Sequence, residues 1–209
     1  MTRLLLASAS PARLTTLRSA GVDPVVRSPD VDEDATVAAA AERHGTLEPA
    51  EVALLLARAK AEAVAAGTNG FVVLGCDTVL NLDGEAMGKP ADATSATERW
   101  RAMRGRSGVL LTGHWLIDTR SDGRGGPLGA TASTTVHFAD VSDDEIEAYI
   151  RTGEPLQVAG AFTIDGLGGP FVTSIEGDHH NVVGLSLPLL RRLLARLGVA
   201  WPDLWARSG

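Results

Sequence analysis

The stretch Leu4-Leu5-Leu6-Ala7-Ser8-Ala9-Ser10-Pro11-Ala12-Arg13-Leu14 runs from a short apolar segment through two serines into a helix start. Ser10 has the side chain of an N-cap, and Pro11 suits the first helical position, where its missing N–H leaves nothing unsatisfied. Strand, small-residue turn and helix start is how open α/β folds build ligand sites at the carboxyl ends of strands. The free amides of this helix end, with Arg13 one turn inside, suit a phosphate-like anion. Taken alone, the same residues also describe an ordinary capped helix after an edge strand.

Working outward, strand-like and helix-like stretches alternate along the chain, which predicts an α/β fold. Residues 11–20 read as the first helix, closed by Gly21 and followed by an acidic loop, Pro29 to Asp34. Residues 48–66 read as a long helix with Val52, Leu55, Leu56, Ala59 and Ala63 on one face. The unbroken apolar run Phe71–Gly75 marks a central buried strand, and Asn81–Glu85 a hairpin turn. A helix is expected over 93–104, with Ser95 and Glu98 as a capping box, and another after the box Ser142/Glu145, ending at Gly153. Strands are expected near 108–118 and 130–139 around the glycine-rich connection 120–129, and at 159–164 and 170–175 around Gly166–Gly169. A leucine-rich helix over 186–197 closes at Gly198, leaving a tail over 198–209.

With 209 residues, 44% of them apolar and 22% charged, the chain has the size and composition of a globular domain. Residues 1–209 read as one domain, in a single core or in two closely joined lobes. A net charge of −7 argues against nucleic acid polymers and anionic membranes as partners, though not against a local basic pocket. The lone Cys76 excludes an internal disulfide and a cysteine-based zinc site, which fits a reducing compartment. No apolar run approaches the roughly 18 residues of a membrane span, and Leu4–Ala7 is too short for a signal peptide. A cytoplasmic protein is expected. Among 19 basic residues only Lys60 and Lys89 are lysines, so each of these compact point charges stands out.

Asp77 follows the buried strand directly, at the carboxyl end where α/β folds bind metal or activate water, or it caps the next turn; the Thr78 hydroxyl beside it favours the first. The run Asp30, Asp32, Glu33, Asp34 is a solvated loop unless one member folds toward Asp77, when two carboxylates and substrate phosphates would suffice for magnesium. Lys89 stands in a rigid turn between Gly88 and Pro90. Lys60 lies at the flank of its helix, a usual place for a snorkelling surface lysine. Arg13, Lys60 and Lys89 together would suit a triphosphate with a metal ion. The histidines lack helical metal spacing, and no Walker, complete Gly-x-Gly-x-x-Gly or Gly-x-Ser-x-Gly motif occurs.

With these residues in place the chain resembles the Maf family of septum-formation-inhibitor-like nucleoside triphosphate pyrophosphatases. The resemblance rests on Ala7–Arg13, Leu74–Thr78, Gly88-Lys89-Pro90, Ala159–Phe162 leading into Asp165–Gly169, and Asn181–Leu185, in the family's order and spacing. It implies an elongated mixed β-sheet with flanking helices, split into two lobes around a central cleft as in inosine triphosphate pyrophosphatases, and a homodimer. It implies hydrolysis of the α–β phosphoanhydride of a nucleoside triphosphate, with a divalent cation, Mg2+ or Mn2+. Asp77 matches the proton acceptor, with Lys60 and Lys89 beside it as catalytic cations. Ser8, Arg13, Glu33, Lys60 and Lys89 fall on positions used for phosphate or metal contact, Glu33 and Asp77 being the metal pair.

Ser10 belongs to the same phosphate-binding helix start. Ala12, Thr78, Asp165 and Phe162 are expected around the base. The family subgroup acting on dTTP and UTP carries arginine, threonine and glutamine at the positions of Ala12, Thr78 and Asp165. The subgroup acting on 7-methyl-GTP carries a bulky aromatic at the first and glutamate at the last. This chain matches neither set, which leaves its base preference open. The family name also keeps a second expectation open, a nucleotide-binding regulator of septum formation that acts through a protein partner without turnover. A haloacid-dehalogenase-like phosphatase on Cys76-Asp77-Thr78 is excluded by Val79, where that class needs a second aspartate.

Overall fold

The computed structural model describes residues 2–123 and 125–205. Its elements are β1 (Leu4–Ala7), α1 (Pro11–Ser19), β2 (Val25–Arg27), α2 (Glu33–His44), α3 (Pro49–Ala65), β3 (Val72–Leu82), β4 (Glu85–Met87), α4 (Ala93–Met103), β5 (Ser107–Asp118), β6 (Leu128–Phe138), α5 (Asp143–Arg151), β7 (Val172–Gly177), α6 (His179–Val183) and α7 (Leu187–Arg196). The strands form one mixed sheet in the order β2-β1-β3-β5-β6-β7, with β4 also on β3. β1 runs parallel to β2 and β3, and all other pairs are antiparallel. Among the described residues no helix is long and apolar enough to cross a membrane.

One edge of β3 is shared by two short strands. β1 pairs with its first half, ending at Ala7 opposite Gly75, and β4 with its last part, from Met87 opposite Leu80. Between them Cys76–Val79 have no ladder partner on that edge. The chain leaves β1 into Ser8 at one end of this gap and leaves β4 into Gly88 and Lys89 at the other. A parallel and an antiparallel neighbour thus diverge at one point, the kind of break in strand order where open sheets bind ligands.

Strand alternation sends odd and even residues of β3 to opposite faces. On the even face Leu74, Cys76 and Leu116 join Leu4, Leu6 and the leucines of α7 in one buried cluster. Leu80, Leu82, Leu110, Val136 and Phe138 join Trp100 of α4 and Ile146, Tyr149 and Ile150 of α5 in a second. A polar seam separates the two: Thr78, Thr112 and Thr134, all on this face by register. On the odd face α3 lies along the sheet, with Val64 against Val73 and Ala53 against Val79 and Leu111.

Several local expectations change. Glu33 and Asp34 do not belong to a loop: they open α2, where Asp32 is the N-cap and accepts from the Ala35 amide at 2.9 Å. The segment is alanine-rich, so its helix rests on propensity and on packing with α3 more than on a broad apolar face. Residues 159–164 are not a strand but tight turns in which Gly160 and Ala161 take φ of 72° and 61°, left-handed values that no strand accommodates. Helix α4 is capped by Asp92, whose carboxylate accepts from the Ser95 amide at 2.7 Å, and not by a Ser95/Glu98 box. In the tail Trp201–Leu204 form a turn and Trp205 bridges to Val22; residues 206–209 lie outside the described ones.

Candidate active site

The site begins with two glycines. A Cβ on Gly75 would stand 2.1 Å from the Ala57 carbonyl oxygen, and one on Gly113 would stand 2.2 Å from that of Ala53. Only glycine lets α3 approach the sheet this closely, and that approach carries Lys60, seven residues past Ala53, onto Asp77. The Lys60 ammonium contacts Asp77 Oδ1 and, at 2.7 Å, Glu33 Oε1. Lys60 and Asp77 are 8% and 7% exposed, so this pair is interior, while Glu33 reaches in from the solvent side of α2. Burial pushes the Asp77 carboxyl above its ordinary range, against the pull of Lys60 and Arg13. The oxygens of Glu33 and Asp77 converge on one nitrogen, and hard carboxylate donors aimed at a single point fit Mg2+ or Mn2+.

The even side of the same gap is organised by Arg13. Its Nε donates to the Gly184 carbonyl at 2.8 Å, Nη1 to Ser8 Oγ at 3.1 Å and Nη2 to Thr78 Oγ1 at 3.0 Å. Ser8 Oγ also accepts from the Ser10 amide at 3.1 Å, and Ser10 Oγ caps α1 by accepting from the Arg13 amide at 3.4 Å. Thr78 and Thr112 exchange a hydrogen bond of 3.1 Å. Asn181, fully buried in α6, donates to the Leu110 carbonyl at 3.1 Å and to Thr134 Oγ1 at 3.2 Å. The seam therefore docks α6, and α6 holds the carbonyl that fixes the arginine. A cation so restrained presents a planar fork to an anion at the sheet's open edge.

Ala12 and Asp165 line one depression of about 240 Å³ between α1, α6 and the start of α7, together with Thr15, His180, Val183 and Leu187. The loop that carries Asp165 is gathered by Glu154 from the turn after α5. Glu154 Oε1 accepts from Tyr149 Oη at 2.8 Å, Thr163 Oγ1 at 2.5 Å and the Gly168 amide at 3.1 Å, and Oε2 accepts from the Leu167 amide at 3.0 Å. Burial raises the Glu154 carboxyl, but these donors outweigh it and hold the group below the ordinary carboxylate range. Phe162, expected at the base, is instead a core residue: its ring meets Phe138 edge-on at 5.0 Å and is 4% exposed.

The structure brings Ser8, Ser10, Arg13 and Thr78 together on one face, and Glu33, Lys60 and Asp77 on the other. It does not bring Lys89 into either group. Lys89 is exposed at the far end of the gap and forms no ion pair among the described residues. The Gly88 carbonyl before it is anchored by Arg99 at 2.6 Å and by the Gly160 amide at 3.1 Å. Asp118, the last residue of β5 before the 120–129 connection, is five residues from Asp77's partner Gly113, roughly 17 Å along the strand. Cys76 is a core residue whose thiol burial pushes up to about 12.

His114 is fully buried; its Nδ1 donates to the Thr112 carbonyl at 3.0 Å and its Nε2 accepts from the Ser186 amide at 2.9 Å. Asp178, His179 and His180 cluster at the start of α6, where Asp178 Oδ1 already accepts from the His180 amide at 3.0 Å. Sequence reasoning missed Gly113, Thr112, Glu154 and His180, whose roles come from distant partners and not from local spacing.

A family model described as Maf-like protein matches residues 3–197. A nucleoside triphosphate pyrophosphatase of Streptomyces coelicolor is 58% identical over 98% of this chain and 95% of its own length. One of Leifsonia xyli is 54% identical over 99% of this chain and 98% of its own. Among solved structures, that of the Staphylococcus aureus Ham1 protein aligns with 98% of this chain and 94% of its own at 14% identity, with a TM-score of 0.46. With one family model spanning most of its length and relatives above half identity end to end, the chain belongs to the Maf family.

Proposed function

We propose that this protein hydrolyses nucleoside triphosphates between the α and β phosphates, releasing nucleoside monophosphate and pyrophosphate. The observation that carries the reading is Asp77, a buried carboxylate locked to Lys60 at the unpaired edge of β3, one residue from the arginine-bound Thr78. Pure binding requires no such base. The name shared by the Streptomyces and Leifsonia relatives supports the same reaction.

Before the nucleotide arrives, Lys60 holds Asp77 Oδ1 and so orients the carboxylate. Asp77 takes a proton from a water molecule as that oxygen attacks the α-phosphorus. The bond from the α-phosphorus to the bridging oxygen breaks, and its electron pair leaves with pyrophosphate. Arg13, with Ser8, Ser10 and the first amides of α1, binds the phosphate chain and stabilises the charge building on its oxygens. Lys89 serves the same chain from the other end of the gap. Glu33 and Asp77 would hold a divalent cation, which would neutralise phosphate charge.

The depression lined by Ala12 and Asp165 takes the base. Its volume of about 240 Å³ falls below the ~300–1,000 Å³ of sites for drug-sized ligands, which suits a single ring system. The two apolar clusters of the even face act as the two lobes, and the working form is a cytoplasmic homodimer. Sedimentation velocity tests the dimer.

The activity is tested by incubating the protein and Mg2+ or Mn2+ with dTTP, UTP, 5-methyl-UTP and 7-methyl-GTP and resolving the products. Monophosphate with pyrophosphate supports the reading. Diphosphate with inorganic phosphate places the attack at another phosphorus and refutes it. Tight nucleotide binding without turnover would favour a regulator.

A further inference from the structure

We propose that Lys60 holds the metal's place in the nucleotide-free protein, so that the divalent cation enters only together with the nucleotide. The inference rests on the proposed reaction, since it concerns the same carboxylates, and it adds an order of events. Lys60 Nζ stands between Glu33 Oε1, at 2.7 Å, and Asp77 Oδ1. These are the two groups that suit a divalent ion, and the ammonium already sits where their oxygens converge.

Two like charges cannot share that point. A divalent ion bound to both carboxylates would lie within a few ångströms of the Lys60 ammonium, and repulsion at that distance is strong in a buried site. Lys60 is 8% exposed, so water screens little of it. Metal can therefore take both carboxylates only when the ammonium has another acceptor. Among the cations near this edge, Arg13 is tied by Gly184, Ser8 and Thr78, whereas Lys60 has a flexible stem and no hydrogen-bond partners besides the two carboxylates among the described residues. Incoming phosphate oxygens at the Cys76–Val79 edge supply that acceptor. The substrate is then the metal–nucleotide complex, whose arrival moves the lysine from carboxylate to phosphate. Without nucleotide, the same lysine neutralises Asp77.

The test uses the full chain and no turnover. Mn2+ binding is followed by the electron paramagnetic resonance signal of the free ion, with and without the α,β-methylene analogues of UTP and GTP. Only binding lost in Asp77→Asn counts, which removes any contribution from the Asp178–His180 cluster. The expected result is at least tenfold weaker Mn2+ binding to the wild-type protein alone than with analogue, and at least tenfold tighter binding to Lys60→Gln alone than to wild type alone. Equal wild-type affinity with and without analogue overturns the proposal, as does a folded Lys60→Gln that binds no better.

If Lys60→Gln does not fold, 15Nζ-lysine labelling of the wild type decides. The chain has two lysines, so two signals are assigned with a Lys89→Arg sample. Analogue with a diamagnetic ion, Mg2+, must shift the Lys60 signal while Mg2+ alone leaves it in place; any other pattern overturns the proposal. Failure of the pyrophosphatase reading would show separately, in the products of the turnover assay.

Discussion

Asp77 and Gly113 face each other across the β3–β5 ladder, and the side chain missing from one makes room for the helix that brings Lys60 to the other. A glycine on a neighbouring strand is thus part of the machinery without touching anything that reacts. Gly113→Ala would press a methyl group into the Ala53 carbonyl, 2.2 Å away, and push α3 off the sheet. Overpacking against backbone, which cannot swing aside, should cost about 3 kcal/mol, the upper end of the usual range. Urea unfolding should show the loss, and turnover should fall further than the folded fraction because Lys60 moves with the helix.

Asp77→Asn keeps the shape and removes the base. Turnover should drop by a factor on the order of 10²–10⁴, the range that a positioned general base contributes. The far-ultraviolet circular dichroism and the unfolding midpoint should change little, since Glu33 remains as the partner of Lys60. A variant with near wild-type turnover would remove Asp77 from the mechanism.

Glu154 is predicted to act through the loop it gathers. The amide of Glu154→Gln keeps one acceptor oxygen where the carboxylate had two, and it cannot satisfy Tyr149, Thr163, Leu167 and Gly168 together. Residues 163–169 should loosen, seen as faster hydrogen exchange at the Leu167 and Gly168 amides. Because the loop carries Asp165, KM for the nucleotide should rise several-fold while kcat stays within about twofold, the pattern of lost uniform binding.

His114 should make stability depend on pH. Burial lowers its pKa from 6.5 to about 4, and the Ser186 amide donating to Nε2 leaves no lone pair there for a proton. The unfolded chain takes up the proton first, so the contribution is complete above pH 6.5 and is lost as pH falls toward 4. The shift from 6.5 to about 4 corresponds to about 3 kcal/mol. Urea unfolding at pH 7 and pH 4.5 should show this extra loss in the wild type and not in His114→Gln.

Much of this was legible in the amino-acid order. The serine-proline helix start and the Asp83-Gly84 hairpin are local patterns, and each appears in the structure where its spacing put it. The apolar run is a buried strand as expected, but β3 continues through Asp77 to Leu82, so Asp77 lies within the strand and not at its carboxyl end; what opens there is the edge between β1 and β4, which local pattern does not show. Helix α2 was not legible, because Val37–Ala41 offers helix propensity without the periodic stripe by which a helix is recognised. The turns around Gly160 and Ala161 read as a strand because their residues are apolar; the left-handed backbone there is set by packing, with Trp100 Nε1 donating to the Ala161 carbonyl at 2.8 Å. Phe162 shows the same limit. An aromatic beside a motif reads as a ligand contact, and only the positions of Phe138 and Trp100 reveal that its ring completes a core. The pairing of Lys60 with Asp77 falls between these cases: both were singled out, but what joins them is a pair of glycines on two strands.

The unpaired stretch Cys76–Val79 has a further consequence, for how the protein stays apart from other polypeptides. A bare sheet edge is a template on which a foreign strand can add and start aggregation. Here the bare run is confined between the ends of β1 and β4 on one strand, a window of four residues. A typical strand of about five or six residues does not fit into it. The chain thus leaves backbone donors and acceptors open to a small anionic ligand while closing them to a peptide.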